Sequence, residues 1–235
     1  MVSFFQYSHS FKKQDYFEMG EFYMLSKKPL HIKEHIIEHM TIYVFMTILF
    51  LTGVIFGAII VNSMSFVQKQ DLFFYLERFF GFVSSEESIR YSTMFKSSFI
   101  FHVKYILFMA ILGLSVIGLP VIWVLLFLKG IVVGFSVGFM VNQLGMKGFL
   151  LASASIAPQN LLIIPTYIIA GTLAMICSLT MLRKLFSRTA TLPMVQPFGR
   201  YVGSISLLLV VALGASVVET FISSEAMQSI INSLL

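Results

Sequence analysis

The sequence predicts an all-α, polytopic integral membrane helix bundle, and three observations lead there. Apolar residues make up 57% of the chain and charged residues 11%, with a mean hydropathy of +0.89, against roughly 45–50% apolar in soluble domains. Five separate segments are each long and apolar enough to cross a bilayer, which takes about 20 residues. The charges lie around these segments rather than on a module of their own, so the excess of 16 Lys+Arg over 11 Asp+Glu reads as membrane topology and not as a nucleic-acid surface. The single cysteine, Cys177, lies in an apolar run and excludes a disulfide framework within the chain.

Taken in order, residues 1–40 form a polar leader and interfacial helix, and residues 41–222 the transmembrane domain. The leader mixes Lys, Asp, Glu and His with aromatics and has no continuous apolar core, so no cleavable signal is expected. The predicted spans are 41–61, 101–118, 121–142, 161–182 and 202–222. Lys12, Lys13, Lys27, Lys28 and Lys33 precede the first span, and the 183–200 loop carries Arg183, Lys184, Arg188 and Arg200. Both are expected in the cytoplasm, with the 62–100 loop and the 223–235 tail outside.

In the outer loop, Leu72, Phe73, Leu76, Phe79, Phe80 and Val83 recur at helical spacing opposite Asp71, Glu77 and Arg78. This predicts an amphipathic helix on the outer leaflet, packed on its own bundle or offered as a partner surface. Ser84 and Glu87 have capping-box spacing for a second short helix. Gly118-Leu119-Pro120 is expected to turn the chain between spans two and three. Residues 146–160 are apolar but too short to cross, and predict a re-entrant or interfacial helix ended by Pro158.

HIKEHIIEH at 31–39 contains H-x-x-E-H twice. On a helix His31, His35 and His39 share a face, as two zinc ligands would. Catalytic zinc also needs a third ligand and a walled site, and His9 and His102 stand too far from this stretch in the pattern to supply one. The segment reads as an interfacial helix, with a membrane metalloprotease as the remote alternative and no metal or cofactor expected. No P-loop, dinucleotide fingerprint or activated serine is present in the sequence.

Packing signals are stronger. Gly53 and Gly57 on span one, Gly130, Gly134 and Gly138 on span three, and Ala170, Ala174 and Ser178 on span four form small-residue stripes that let helices approach closely. They serve equally a compact bundle or the pairing of two copies. Two charges fall inside spans, where each is costly unless paired, hydrated or snorkelling. Lys129, about 12 Å into its span, is expected to snorkel. Glu219 is expected at an outer polar vestibule with Asn142, Gln143, Gln159 and Asn160, the feature that a small transporter or permease would use.

GVIFGAIIVNSMS at 53–65, QDLFFYLERFFG at 70–81, GLPVIWVLLFLKGIVVGFSVGFMVNQLG at 118–145 and APQNLLIIPTYIIAGT at 157–172 resemble, in order, the stage II sporulation protein M family. The resemblance covers about residues 30–225. It implies a multi-pass protein of the mother-cell membrane at the sporulation septum and around the engulfed forespore. Its expected role is non-enzymatic: a scaffold in membrane lipid that organises two wall hydrolases, stage II sporulation proteins D and P, for septal thinning and engulfment. Residues 1 to about 23 extend beyond the resemblance, which leaves two candidate starts of translation, Met1 and Met24, the second a natural one.

Overall fold

In a computed structural model of the chain, residues 36–84, 91–186 and 195–223 are described. Residues 1–40 form one unit and residues 41–235 a second. Of the first, residues 36–38 are helical. His31 and His35, two thirds of the expected histidine face, lie outside the described residues, as does the Ser84–Glu87 box beyond Ser84.

The second unit is a multi-pass helix bundle. Its helices are α1 (Met40–Ser63), α2 (Phe66–Ser84), α3 (Tyr91–Gly113), α4 (Gly118–Ser155), α5 (Ala157–Phe186) and α6 (Val195–Val218). A π-turn, Glu219–Ser223, completes α6. All helices except α2 are long and apolar enough to span a membrane, and no strand occurs among the described residues. Because a bilayer core offers the backbone no hydrogen-bond partners, an apolar chain of this kind has helix as its economical solution.

The most buried span is α5, which packs against α3, α4 and α6. Its buried side chains Ile163, Tyr167, Ala170 and Ala174 join Ile106 and Met109 of α3, Ile122 and Leu126 of α4, and Ile205 and Leu208 of α6 in one core. Small residues set how closely these helices come. A Cβ added at Gly113 would stand 2.6 Å from the Ala174 Cα, and Ser178 Oγ donates to the Ser115 carbonyl at 2.8 Å, tying α5 to the α3–α4 connection. Pro165 inside α5 removes a backbone donor, but the helix continues, with Thr166 Oγ1 donating to the Leu162 carbonyl at 2.8 Å.

Three boundaries differ from expectation. The tight turn between α3 and α4 is made by residues 114–117, through Gly118 N–H to the Ser115 carbonyl at 3.1 Å. Gly118 and Pro120 instead open the next helix. Second, α3 begins ten residues upstream of the predicted span, at Tyr91, so the connection before it is shorter than 62–100. Third, the segment after span three is a short helix set off from the span by a kink, as expected, but it ends at Ser155 rather than at Pro158. The backbone breaks at Gly145 (φ 58°, ψ −132°), in the left-handed half of conformational space that glycine enters freely. Helix resumes to Ser155, a single turn residue, Ile156, follows, and α5 starts at Ala157. Pro158 therefore sits in the first turn of α5, where its missing N–H costs nothing, rather than ending the preceding helix.

Helix α2 presents Leu72, Phe73 and Leu76 half-buried, with Asp71, Glu77 and Arg78 exposed. Arg78 stacks over the Phe74 ring at 5.1 Å. The side chains of Phe79 and Phe80 lie outside the described residues.

Candidate functional site

The small-residue stripes of α1 and α4 lie against one another. A Cβ at Gly53 would stand 2.3 Å from the Phe127 carbonyl oxygen, one at Gly57 2.3 Å from that of Ile131, and one at Gly134 2.0 Å from that of Val54. Gly130 meets Phe50 in the same way, and at Gly138 the contact opens to 3.3 Å from the Ala58 Cα. Backbone touches backbone from Phe50 to Ala58 and from Phe127 to Gly138, about three turns. Such contact supplies dispersion attraction, which in lipid replaces the missing hydrophobic drive between helices. Phe45 packs edge-on to Trp123 at 5.4 Å and Phe56 to Phe127 at 5.6 Å, flanking the seam. An open groove of about 420 Å³ runs beside it, lined by Val54, Ala58, Val137 and Asn142 among others.

The second feature is polar. On α3, Ser98, His102 and Tyr105 recur at i, i+4 and i+7 and so share a face. That face meets Gln159 and Tyr167 of α5, Lys129 of α4 and Glu219 at the start of the π-turn. His102 is buried, with Nδ1 2.6 Å from Tyr167 Oη and Nε2 3.3 Å from Glu219 Oε2. One tautomer satisfies all three groups: the tyrosine O–H donates to Nδ1, and Nε2–H donates to the carboxylate. Ser98 Oγ donates to the same carboxylate oxygen. With the Gln159 amide turned so that nitrogen faces Glu219, it donates to Oε2 at 2.9 Å and Oε1 at 3.0 Å. Glu219 is 32% exposed and His102 6% exposed, so the network runs from a partly open mouth into the core.

Lys129 belongs to this cluster. Instead of reaching along its helix to an interface, its ammonium lies over three rings, 5.1 Å from the centre of Phe101, 5.9 Å from Tyr105 and 5.1 Å from Tyr167. Glu219 is near enough to act on it electrostatically. The expected vestibule divides. Gln159 joins Glu219, whereas Asn160 Nδ2 donates to the Ile156 carbonyl at 2.8 Å and Gln143 donates to Asn142 Oδ1 at 3.3 Å, beside the Gly145 break. Ser98, Phe101, His102, Tyr105 and Tyr167 are the members that sequence reasoning passed over. Their signal was the spacing on α3 and a lone histidine in an apolar run. No group of three or more His, Cys, Asp or Glu able to hold a metal occurs among the described residues.

The stage II sporulation protein M family matches the chain over residues 46–224, from the second turn of α1 to just past the π-turn. The chain belongs to the stage II sporulation protein M family. The match contains the whole glycine seam and every member of the polar cluster, and membership makes this a sporulation-related, multi-pass membrane protein. Neither a curated protein nor a solved structure matches the chain.

Proposed function

We propose that the protein is a non-enzymatic membrane scaffold required for endospore formation, holding peptidoglycan hydrolases at the septal membrane while the mother cell thins the septal wall and engulfs the forespore. Family membership over residues 46–224 is the observation that carries this reading. The architecture supports it: a rigid platform suits a scaffold, and the α1–α4 seam leaves no room for even a methyl group at Gly134. The partners are stage II sporulation proteins D and P, engaged from the outer side, where α2 offers Leu72, Phe73 and Leu76 beside exposed charge. The amino terminus and the α5–α6 connection face the cytoplasm, in line with the Lys and Arg they carry.

A second reading, a small transporter, draws on the Glu219–His102–Tyr167 network, since ionisable groups within spans often mark substrate or ion paths. One experiment separates the two. Fluorescent fusions of both hydrolases are imaged in sporulating cells carrying Gly134→Leu or Glu219→Gln. A scaffold loses septal focus of the hydrolases with Gly134→Leu and is affected less by Glu219→Gln. A transporter gives engulfment failure with Glu219→Gln while the protein remains abundant and both hydrolases stay at the septum, and that result would overturn the scaffold reading.

A further inference from the structure

The cluster around Lys129 has the composition of a ligand site, and its ligand is a part of the chain. Three aromatic rings from two helices converge on one ammonium. Two of them are fixed by hydrogen bonds of their own. Tyr167 Oη is held by His102, and Tyr105 Oη donates to the Leu125 carbonyl of α4 at 2.6 Å, one helical turn before Lys129. The two rings also pack on each other, with centroids 4.6 Å apart. A cage whose walls are pinned independently of its occupant is preorganised, and ring faces away from water attract a cation more strongly than exposed ones do. A carboxylate, Glu219, stands behind the wall and is itself held by Ser98, His102 and Gln159. Aromatic faces with a carboxylate beyond them are the chemistry that recognises ammonium ions. A lysine with a four-carbon stem could instead have extended to an interface, yet this one turns inward.

We propose that Phe101, Tyr105 and Tyr167, backed by Glu219, form a binding site for a primary alkylammonium group, occupied in cis by Lys129. The tethered occupant fastens α4, and with it the α1–α4 seam, to the junction of α3, α5 and the π-turn. Truncating the lysine leaves the site formed and vacant, with a space whose missing atoms are those of a propylammonium ion.

The test is chemical rescue in the purified full-length protein. Trp123 is the only tryptophan in the chain; it lies on α4 against Phe45 and reports unfolding by its fluorescence. Lys129→Ala lowers Tm, and n-propylammonium chloride raises it again by an amount that grows with its concentration, reaching about 5 °C where free ligand stands roughly twentyfold above its dissociation constant. The wild type, whose site is filled, does not respond, nor does Lys129→Ala in sodium chloride of equal concentration. Adding Tyr167→Leu abolishes the rescue. Absence of rescue in folded Lys129→Ala, or an equal rise in wild type or with sodium, overturns the proposal. If Lys129→Ala does not fold, wild-type protein labelled with ¹³C at lysine Cε decides the matter. Ring currents from three faces must move one lysine resonance upfield of the others, and a spectrum with no such signal overturns the proposal.

Discussion

The α1–α4 seam and the Lys129–Glu219 cluster hold neighbouring parts of one bundle by opposite means. The seam has no side chains in it: Gly53, Gly57, Gly130 and Gly134 bring two backbones together until a single added methyl group overlaps a carbonyl oxygen. The cluster is all side chain, with Ser98, His102, Lys129, Gln159, Tyr167 and Glu219 joined through hydrogen bonds and ring faces. The difference lies in how each fails. Dispersion contact tolerates no increase in volume but is indifferent to charge, whereas a buried polar network tolerates changes of shape better than the loss of one partner, because the group left behind keeps its desolvation penalty.

That contrast orders the expected effects. The largest is Gly134→Leu, whose Cβ would stand 2.0 Å from the Val54 carbonyl oxygen. Overpacking of this kind costs about 3 kcal/mol or more, and the cellular level of folded protein, followed by blotting and thermal unfolding, should collapse. Next comes His102→Leu. It leaves Tyr167 Oη and part of Glu219 without their partner, at about 1–3 kcal/mol; His102→Gln, which restores a donor and an acceptor, should recover part of the loss. A stability unchanged in His102→Leu would remove the cluster from the account of what holds the bundle.

Gly138→Ala should be smaller, under about 1 kcal/mol, because its added Cβ would meet the Ala58 Cα at 3.3 Å and a shift of a few tenths of an ångström relieves it. A loss as large as that of Gly134→Leu would show the seam to be tight along its whole length. The smallest effect belongs to Gly203→Ala on α6, where nothing lies within 4 Å. Replacing a helical glycine by alanine gains up to about 1 kcal/mol, so Tm should hold or rise slightly, and a fall would mean that this face is covered.

The spans were legible in the sequence because apolar length decides helix formation in lipid almost by itself. Their ends were not. Lys96, Ser97 and Ser98 dilute the start of α3 below the threshold of an apolar run, yet all three are helical: Lys96 and Ser97 are exposed, while Ser98 turns inward to bind Glu219. At the boundary drawn before residue 146, Gly145 is a single left-handed residue between two helical stretches, whereas the far end of that segment lies at Ser155 rather than at Pro158. The stripes at Gly53/Gly57 and Gly130/Gly134/Gly138 were visible as spacing, but spacing is silent on whether a stripe meets its own chain or another. The polar cluster was the least legible. Three of its hydrogen bonds join residues 65 to 121 apart along the chain, and the depth of Lys129 within its own helix gave no hint that it would turn toward Tyr167 instead of an interface.

The central claim is that the stripes of α1 and α4 close on each other within one chain. Gly138 and Ala58 offer a direct measurement, because a Cβ at Gly138 would lie 3.6 Å from that of Ala58, within the roughly 3.5–4.5 Å that a disulfide requires. With Cys177→Ser removing the native thiol, the pair Ala58→Cys and Gly138→Cys is oxidised in membranes, digested between α1 and α4, and resolved on a denaturing gel. The account expects the two fragments to stay joined until reduced, from a species that migrates as a monomer before digestion. Fragments that separate without reductant, or a disulfide found only in a dimer, would contradict it.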